Sequence, residues 1–438
     1  MKKIGIFICN YNKVDFVVRC VQAIKEQTFQ DFDLFVVDNA STDDSVLQLH
    51  QNYEDSVTIL QNSENLGGSG GFGRAVRTAL DMGYPYFMLI DNDAMLEKHV
   101  VEYLYDYMET HESVGICGAE ILSLQETERI MDLGGRIDWE SGKWDGAFGG
   151  GKDLKGRAVI DCDYVSSCSV MARTEAVQKF GGFPEENFIY GDDVEWCTRC
   201  WQAGYKVVMD SRAKAYHNTQ TSTAEVRNMF KRYYWERNRY RFFTRYLPQD
   251  RLNGFFQMIT REFFSKNYGA MHKKMYGTAF TEWNALDDFM HGITGKASEG
   301  KIVPYVEENN GLAERIRQAN SVVIYVPGQE ASDYACLNNT LRYISKWKKD
   351  ARVTVTFQLE DEDQKEDGLI LQVCEHVTKI KENILPRVYI DLWRNAVLNE
   401  IDYQYFTRFE QALANFQSLY RPLFEELVER LQREGAPV

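Results

Sequence analysis

The 438-residue chain has no apolar run near the roughly eighteen residues that a membrane-spanning helix requires, so no such helix is expected. It has no surplus of basic residues: 50 Lys and Arg stand against 65 Asp and Glu, a net charge of −15. That balance argues against nucleic acid as a partner, because phosphate backbones are gripped by clustered Lys and Arg. A disulfide framework is also missing. The nine cysteines are scattered and odd in number, which fits reduced thiols in a cytosolic protein. The one suggestive spacing, Cys197-x-x-Cys200, has no second Cys or His pair nearby, so a zinc or redox role has little behind it. The first ten residues carry two lysines before a short apolar run without a small-residue cleavage site. They read as a first strand rather than a signal peptide, and the chain as cytoplasmic. There is no repeat and no low-complexity segment. At 44% hydrophobic and 26% charged residues, the length predicts two or three globular domains.

What is present begins with Tyr86-Phe-Met-Leu-Ile-Asp91-Asn-Asp93, an apolar run that ends in two carboxylates. It reads as a buried strand whose C-terminal end is the edge where open α/β sheets bind ligands. Two such carboxylates, each ionising at about pH 4, favour a cation between them; a divalent metal holding a diphosphate is the natural candidate. Turn or helix-cap aspartates are the alternative. Further apolar runs at 4–9, 32–37 and 57–61 alternate with amphipathic stretches at 14–27, 43–52 and 71–82. This βαβα order predicts a parallel sheet. Residues 132–152, rich in Gly and Trp, suit a loop or irregular hairpin. Strands are expected at 159–165 and 205–210, with a helix near 192–203. Residues 250–300 look helical. From 321 the alternation returns: a strand at 321–326, a helix near 331–347, a strand at 353–358, a helix near 366–379 and a strand at 387–392. Helices near 402–416 and 420–433 close the chain.

Asn65-Leu-Gly-Gly-Ser-Gly-Gly-Phe-Gly-Arg74 follows the third strand, and Gly68, Gly70 and Gly73 satisfy G-x-G-x-x-G. A dinucleotide fingerprint normally occupies the first βα turn and is followed by a single acidic ribose ligand, so a nicotinamide or flavin site is disfavoured. The glycines instead allow close backbone approach to a base or diphosphate at a helix start, with Arg74 as a fixed cation. A turn needed only for packing helix on sheet is the alternative.

Taken in order, the motifs form a set: Cys9-Asn-Tyr-Asn12, Val36-Val-Asp-Asn-Ala-Ser-Thr-Asp-Asp44, Asp91-Asn-Asp93, Gly181-Gly-Phe-Pro184, Gly191-Asp-Asp-Val-Glu-Trp196 and His217. Over residues 1–245 the chain resembles the inverting family 2 glycosyltransferases of the GT-A fold. The glycine-rich segment, the 24-residue step from Asp193 to His217, and Tyr233-Tyr-x-x-Arg-Asn238 are most similar to the galactofuranosyltransferases of galactan synthesis. Related rhamnosyltransferases share much of the pattern.

The resemblance implies an α/β fold with a Rossmann-like, mostly parallel sheet flanked by helices. It implies a nucleotide pocket formed by Asn10, Asn12, Asp38, Asn65, Gly67, Arg74, Asp91 and Asn92. Asp91, Asp93 and His217 would hold Mn²⁺ or Mg²⁺, the imidazole favouring Mn²⁺. Asp193 would be the general base. Asp192 is a helix cap or acceptor contact, with Glu195 as capping-box partner in the structural alternative. Trp139, Trp144 and Trp196 are candidate sugar-stacking faces, although packing is the commoner fate of a tryptophan. The donor implied is UDP-galactofuranose, with dTDP-rhamnose as alternative, and the acceptor a cell-surface glycan or a lipid-linked sugar. A non-catalytic nucleotide-sugar-binding or assembly protein is the competing class.

Residues 227–245 carry seven Lys or Arg among aromatics. Three readings stand: a helix packed on the catalytic domain with arginines reaching the diphosphate, a helix on the membrane surface at the inner face, or a solvated charged face. The division expected is a catalytic domain at 1–245, a helical linker at 246–310 and a C-terminal α/β region at 311–438. For that last region oligomerisation, acceptor binding and partner docking are all open.

Overall fold

A computed structural model describes residues 2–145, 157–218, 224–309, 311–359, 368–384 and 386–433. Residues 146–152 of the Gly- and Trp-rich segment, including Phe148-Gly-Gly-Gly151, lie outside the described residues, as do 366 and 367. By internal contacts the chain forms two units: residues 1–252 with 285–299 and 426–438, and residues 253–284 with 300–425. Contacts therefore divide the stretch 246–310 between the two units instead of leaving it as one linker.

In the first unit, β1 (Ile4–Asn10), β2 (Phe32–Asp38), β3 (Thr58–Gln61) and β4 (Tyr86–Asp91) pair in parallel in the order β3-β2-β1-β4. They are joined through α1 (Val14–Lys25), α2 (Ser45–Tyr53) and α3 (Gly67–Met82). β5 (Ala94–Leu96) leads to α4 (Val100–Thr110) and β6 (Val114–Ser123). Short strands β7 (Ile130–Asp132), β8 (Arg136–Asp138) and β9 (Lys143–Asp145) follow, β8 and β9 forming a separate antiparallel pair. β10 (Val159–Asp161) and β11 (Ser169–Arg173) precede α5 (Thr174–Phe180), α6 (Asp192–Gln202) and β12 (Lys206–His217). β11 lies antiparallel between β4 and β6, while β12 runs parallel to β6. The α/β class expected from the sequence is thus present.

The register decides which side chains meet. Asn10 stands opposite Asp38 and Cys9 opposite Asp91, so the polar residues that end the apolar runs collect along one sheet edge. Beneath them Ile4, Ile6, Ile8, Val36, Met88 and Ile90 are buried against α1 and α4 in one core. Phe7 and Phe35 stack on the other face at 4.6 Å, a contact worth about 0.5–1.5 kcal/mol beyond area burial.

Several expectations shift. The helix expected from 71 begins at Gly67, so the glycine-rich segment is largely its first turns. The strand expected at 205–210 continues to His217. Only 159–161 of the expected 159–165 strand is a strand.

The basic aromatic stretch is α7 (Ala224–Tyr246), and it packs inward: Tyr233, Tyr234, Tyr240, Phe242, Phe243 and even Arg237 are buried. The aromatics that a membrane-surface helix would expose are therefore inside, and the solvated-face reading fails for the same reason. Its arginines meet protein groups. Arg237 donates to the carbonyls of Asn187 and Gly295, and Arg239 to that of Gly142.

Glu195 is no capping-box residue. It lies 1% exposed between Arg241 (3.5 Å) and Arg245 (3.4 Å), and accepts from the Tyr246 hydroxyl at 3.2 Å.

α8 (Leu252–His272) and α9 (Tyr276–Met290) follow, then α10 (Leu312–Gln318), β13 (Ser321–Tyr325), α11 (Ala331–Trp347), β14 (Arg352–Thr356), β15 (Gly368–Val373), β16 (Val388–Ile390), β17 (Ala396–Val397), α12 (Glu400–Thr407) and α13 (Phe409–Arg433). The second unit holds its own sheet in the order β14-β13-β15-β16-β17. Of the helix expected at 366–379, among the described residues only 377–379 form a turn of 3-10 helix, and 368–373 form β15. Its Leu369, Ile370, Leu371 and Val373 are buried in a parallel setting, where a continuous apolar run carries no telling period.

Removing the carboxylate at Glu195 takes from Arg241 and Arg245 the more deeply buried of their two shared counter-charges and leaves them Glu186. Glu195→Ala is expected to cost about 3 kcal/mol in denaturant unfolding, whereas a change within about 0.5 kcal/mol would show the pairs to be incidental.

Candidate active site

The nucleotide side of the site grows from the ends of β1, β2 and β4. Asn10, fully buried, donates from Nδ2 to Asp38 Oδ1 at 3.0 Å, and its own Oδ1 accepts from Asn92 Nδ2 at 2.7 Å. The backbone N–H of Ser41 donates to Asp38 Oδ2 at 3.0 Å. Asp38 is thereby oriented, with lone pairs left for a further donor. Asn12, at φ 48°, accepts on Oδ1 from the backbone N–H of Thr42 at 2.7 Å and so pins the β2–α2 loop. The expected nucleotide residues Asn10, Asn12, Asp38 and Asn92 are thus brought together.

Asn39 organises the start of α3, a role the sequence reading did not assign. Its Nδ2 donates to Asn65 Oδ1 and to the carbonyl of Gly67, and its Oδ1 accepts from Leu66 N–H. Gly67 has φ 74°, and a β-carbon there would overlap the Phe188 carbonyl. Only glycine meets both demands. Arg74 Nη1 donates to the Gln61 carbonyl and to Asn62 Oδ1, so the expected fixed cation braces the end of β3.

The residues expected to hold a metal, Asp91, Asp93 and His217, come together. His217 Nε2 lies 3.2 Å from Asp93 Oδ1 and 3.8 Å from Asp91 Oδ2. Lys13, which the sequence reading passed over, places Nζ 2.5 Å from Asp93 Oδ2. Burial pushes the Asp91 carboxyl above its usual range, against the pull of His217 and with the charge of Asp93 added. Burial would also raise Asp93, but the hydrogen bond and charge of His217, with Lys13, hold it low. His217 is raised: burial works against its charged form, and the Asp93 hydrogen bond and Asp91 charge outweigh it. Two carboxylates and an imidazole are a donor set that fits a divalent cation.

Facing these is the start of α6. Gly191, at φ 77°, is the residue before the helix, so Asp192 is not the cap. Asp192 instead accepts from Ser69 Oγ at 2.6 Å, joining α6 to the glycine-rich turn of α3. Asp193 Oδ1 accepts the local Val194 N–H at 2.8 Å. Burial, then the charge of Asp192, pushes the Asp193 carboxyl well above the usual carboxylate range. Burial also raises Asp192. Burial, rather than mutual repulsion alone, is therefore the first cause, and it overrides the helix N-terminus, which acts the other way.

The two sides are one site. The half-buried Cys9 thiol is raised by desolvation and by the charges of Asp91, Asp38 and Asp192 together.

The turn that delivers Asp192 and Asp193 is held by Asn238. Its Nδ2 meets the carbonyls of Asn187, Ile189 and Tyr190 at 3.0, 2.9 and 2.9 Å. Phe188 (φ 65°) and Tyr190 (φ 67°) both sit in the left-handed region, which costs on the order of 1–3 kcal/mol each. The motif containing Asn238 was visible in the sequence, but its role was not.

The tryptophans depart from expectation. Trp196 is 1% exposed and packs on Phe87, Phe180 and Phe183, so it cannot stack on a sugar. Trp144 is buried against Trp235, Phe242 and Phe243, and Trp139 packs on Trp201 and the same phenylalanines. Cys197 and Cys200 are buried in α6. Among the described residues neither belongs to a metal-type cluster.

Residues 5–167 match the family model Glycosyl transferase family 2. The matched stretch contains Asn10, Asn12, Asp38, Asn65, Gly67, Arg74, Asp91, Asn92 and Asp93, and it ends before Asp193 and His217. The first unit is built on a Rossmann-like, mostly parallel sheet flanked by helices. Among curated proteins, the chain is 30% identical over 107 residues to the teichoic acid poly(glycerol phosphate) polymerase of Staphylococcus epidermidis, covering 24% of this chain and 14% of that one. It is 24% identical over 214 residues to the O-antigen chain rhamnosyltransferase WbaN of Salmonella anatum, covering 48% and 64%. Among solved structures, S. aureus TarS 1-349 in complex with UDP aligns at a TM-score of 0.44 and 15% identity, covering 66% and 81%. This chain thus spans a small part of the first relative and just under two thirds of the second. No described helix is long and apolar enough to cross a membrane.

Asn238→Ala would take the donor from the Ile189 and Tyr190 carbonyls, while Asn187 keeps Arg237, and so loosen the turn before Asp193. A fall of at least about tenfold in turnover is expected, with nucleotide affinity nearly unchanged. Equal losses in both would place Asn238 in general folding instead.

Proposed function

We propose that the chain is a metal-dependent inverting glycosyltransferase that moves a sugar from a nucleotide donor to a hydroxyl of a glycan or lipid-linked acceptor. The observation that carries this reading is Asp193, half-buried at a helix start beside the edge that holds Asp91, with its carboxyl tuned upward by desolvation and by the charge of Asp192. Asp193 takes the proton from the acceptor hydroxyl as that oxygen bonds to the anomeric carbon. The bond from that carbon to the diphosphate breaks, and the nucleoside diphosphate leaves from the opposite face. A base poised above the ordinary carboxylate range suits that transfer near neutral pH.

Asp38, with Asn10, Asn12, Asn65, Gly67 and Asn92 around it, receives the nucleoside, and Arg74 keeps the adjoining turn in place. Asp91, Asp93 and His217 would hold Mn²⁺ or Mg²⁺, which supplies charge neutralisation for the departing diphosphate. Lys13 adds a second cation at the same place. UDP-galactofuranose is the leading donor, on the likeness of the glycine-rich segment and the Tyr233–Asn238 motif. The rhamnosyltransferase among the relatives supports dTDP-rhamnose as the second reading.

Titration calorimetry with UDP and dTDP, each with Mn²⁺ and with chelator, tests the donor side. Metal-dependent binding that prefers UDP and is lost in Asp93→Ala is expected. Preference for dTDP would move the donor to rhamnose, and absence of any nucleotide binding would overturn the reading.

A further inference from the structure

We propose that Cys168 is a fourth ligand of the Asp91–Asp93–His217 site and makes it a binding site for thiophilic divalent ions, Zn²⁺ foremost. This rests on the reading of those three residues as metal ligands. Its origin is topological. β11 is the antiparallel strand of the sheet centre, so the residue just before it, Cys168, lies at the same edge as the C-terminal end of β4. The backbone N–H of Asp91 donates to the Cys168 carbonyl at 3.0 Å, which fixes the two residues side by side. Donor atoms of Asp91, Cys168 and His217 all lie within 4.8 Å of one another, the one such group among the described residues. Asp93 lies outside that group and approaches it at His217 Nε2, at 3.2 Å.

One sulfur, one imidazole nitrogen and two carboxylate oxygens are a set that Zn²⁺ accepts and that Mg²⁺, which prefers oxygen alone, does not. The sulfur–metal bond forms as the thiol proton leaves to solvent, with no change of oxidation state. Asp91, Cys168 and His217 fill three positions of a tetrahedral ion, and Asp93, 3.2 Å from His217 Nε2, closes the fourth against a diphosphate oxygen by a small shift toward the ion. Zinc at this site is therefore an inhibitor of donor binding, while an ion that ignores the sulfur keeps positions free.

The test is a Cd²⁺ titration of the full chain, followed by the ultraviolet sulfur-to-cadmium charge-transfer band. Wild type and Cys20→Ser, which removes a neighbouring buried thiol, are expected to give the band, and Cys168→Ser to lose it. Zn²⁺ affinity of Cys168→Ser should fall at least about tenfold. Circular dichroism checks the variant's fold, and Cys168→Ala replaces it should serine at that buried position unfold the chain. No band in wild type, or an unchanged band in the folded Cys168 variant, overturns the proposal. A cadmium band without any nucleotide binding retires the transferase reading and leaves the metal site. Metal-dependent nucleotide binding without the band retires Cys168 alone.

Discussion

The candidate site depends on one carboxamide. Asn238 has two N–H groups and offers them to three backbone carbonyls within 3.0 Å, at residues 187, 189 and 190. Those carbonyls belong to a turn with three positive φ values in four residues, at Phe188, Tyr190 and Gly191. Such a turn persists only where its surroundings over-determine it. The next residues are Asp192 and Asp193, so the orientation of both carboxylates follows from how firmly the turn is held. The cost of the turn is offset from the other side as well: Ser69 N–H donates to the Phe188 carbonyl at 3.1 Å, and Ser69 Oγ to Asp192.

The opposite wall is set by sheet register. Strands whose apolar residues are locked in the core cannot slip by one place without turning every side chain to the other face. The polar residues at their ends are therefore fixed as precisely as the core itself. Asn10, Asp38 and Asp91 stay in line because Ile8, Val36 and Ile90 do. His217 reaches the same edge only because β12 is long, pairing at its far end with β5 beside Asp93.

What could be read from the sequence follows the same physics. Apolar runs ending in Asx residues mark β1, β2 and β4, and they located Asp38, Asp91 and Asp93 directly. Long-range contacts are not written in any local pattern. Gly67 to Gly73 look like a loop by propensity, yet they open a helix, and glycine stands at 67, 71 and 73 because Phe188, Cys9 and Glu185 lie too close for side chains there. Trp196 sits among the acidic motif residues in sequence but points into the core. α7 carries charge at a density that reads as surface, and only the structure shows its arginines spent on carbonyls and on Glu186 and Glu195. Lys13 and Cys168 follow or precede strands at the right edge, a positional signal that residue type alone hides.

The account turns on Asp193 acting as the base, and the pH dependence of kcat/KM for sugar transfer, in wild type and in Asp193→Asn, tests it most directly. A base must be ionised, and a carboxyl raised by burial is protonated at higher pH than usual. The wild-type rate is therefore expected to fall as pH drops through a value above the ordinary carboxylate range of about 4. The Asn variant should bind nucleotide and lack turnover. An Asn variant that keeps the wild-type rate and acid limb would contradict the assignment, and a wild type without turnover on any donor would leave a nucleotide-sugar-binding protein in its place.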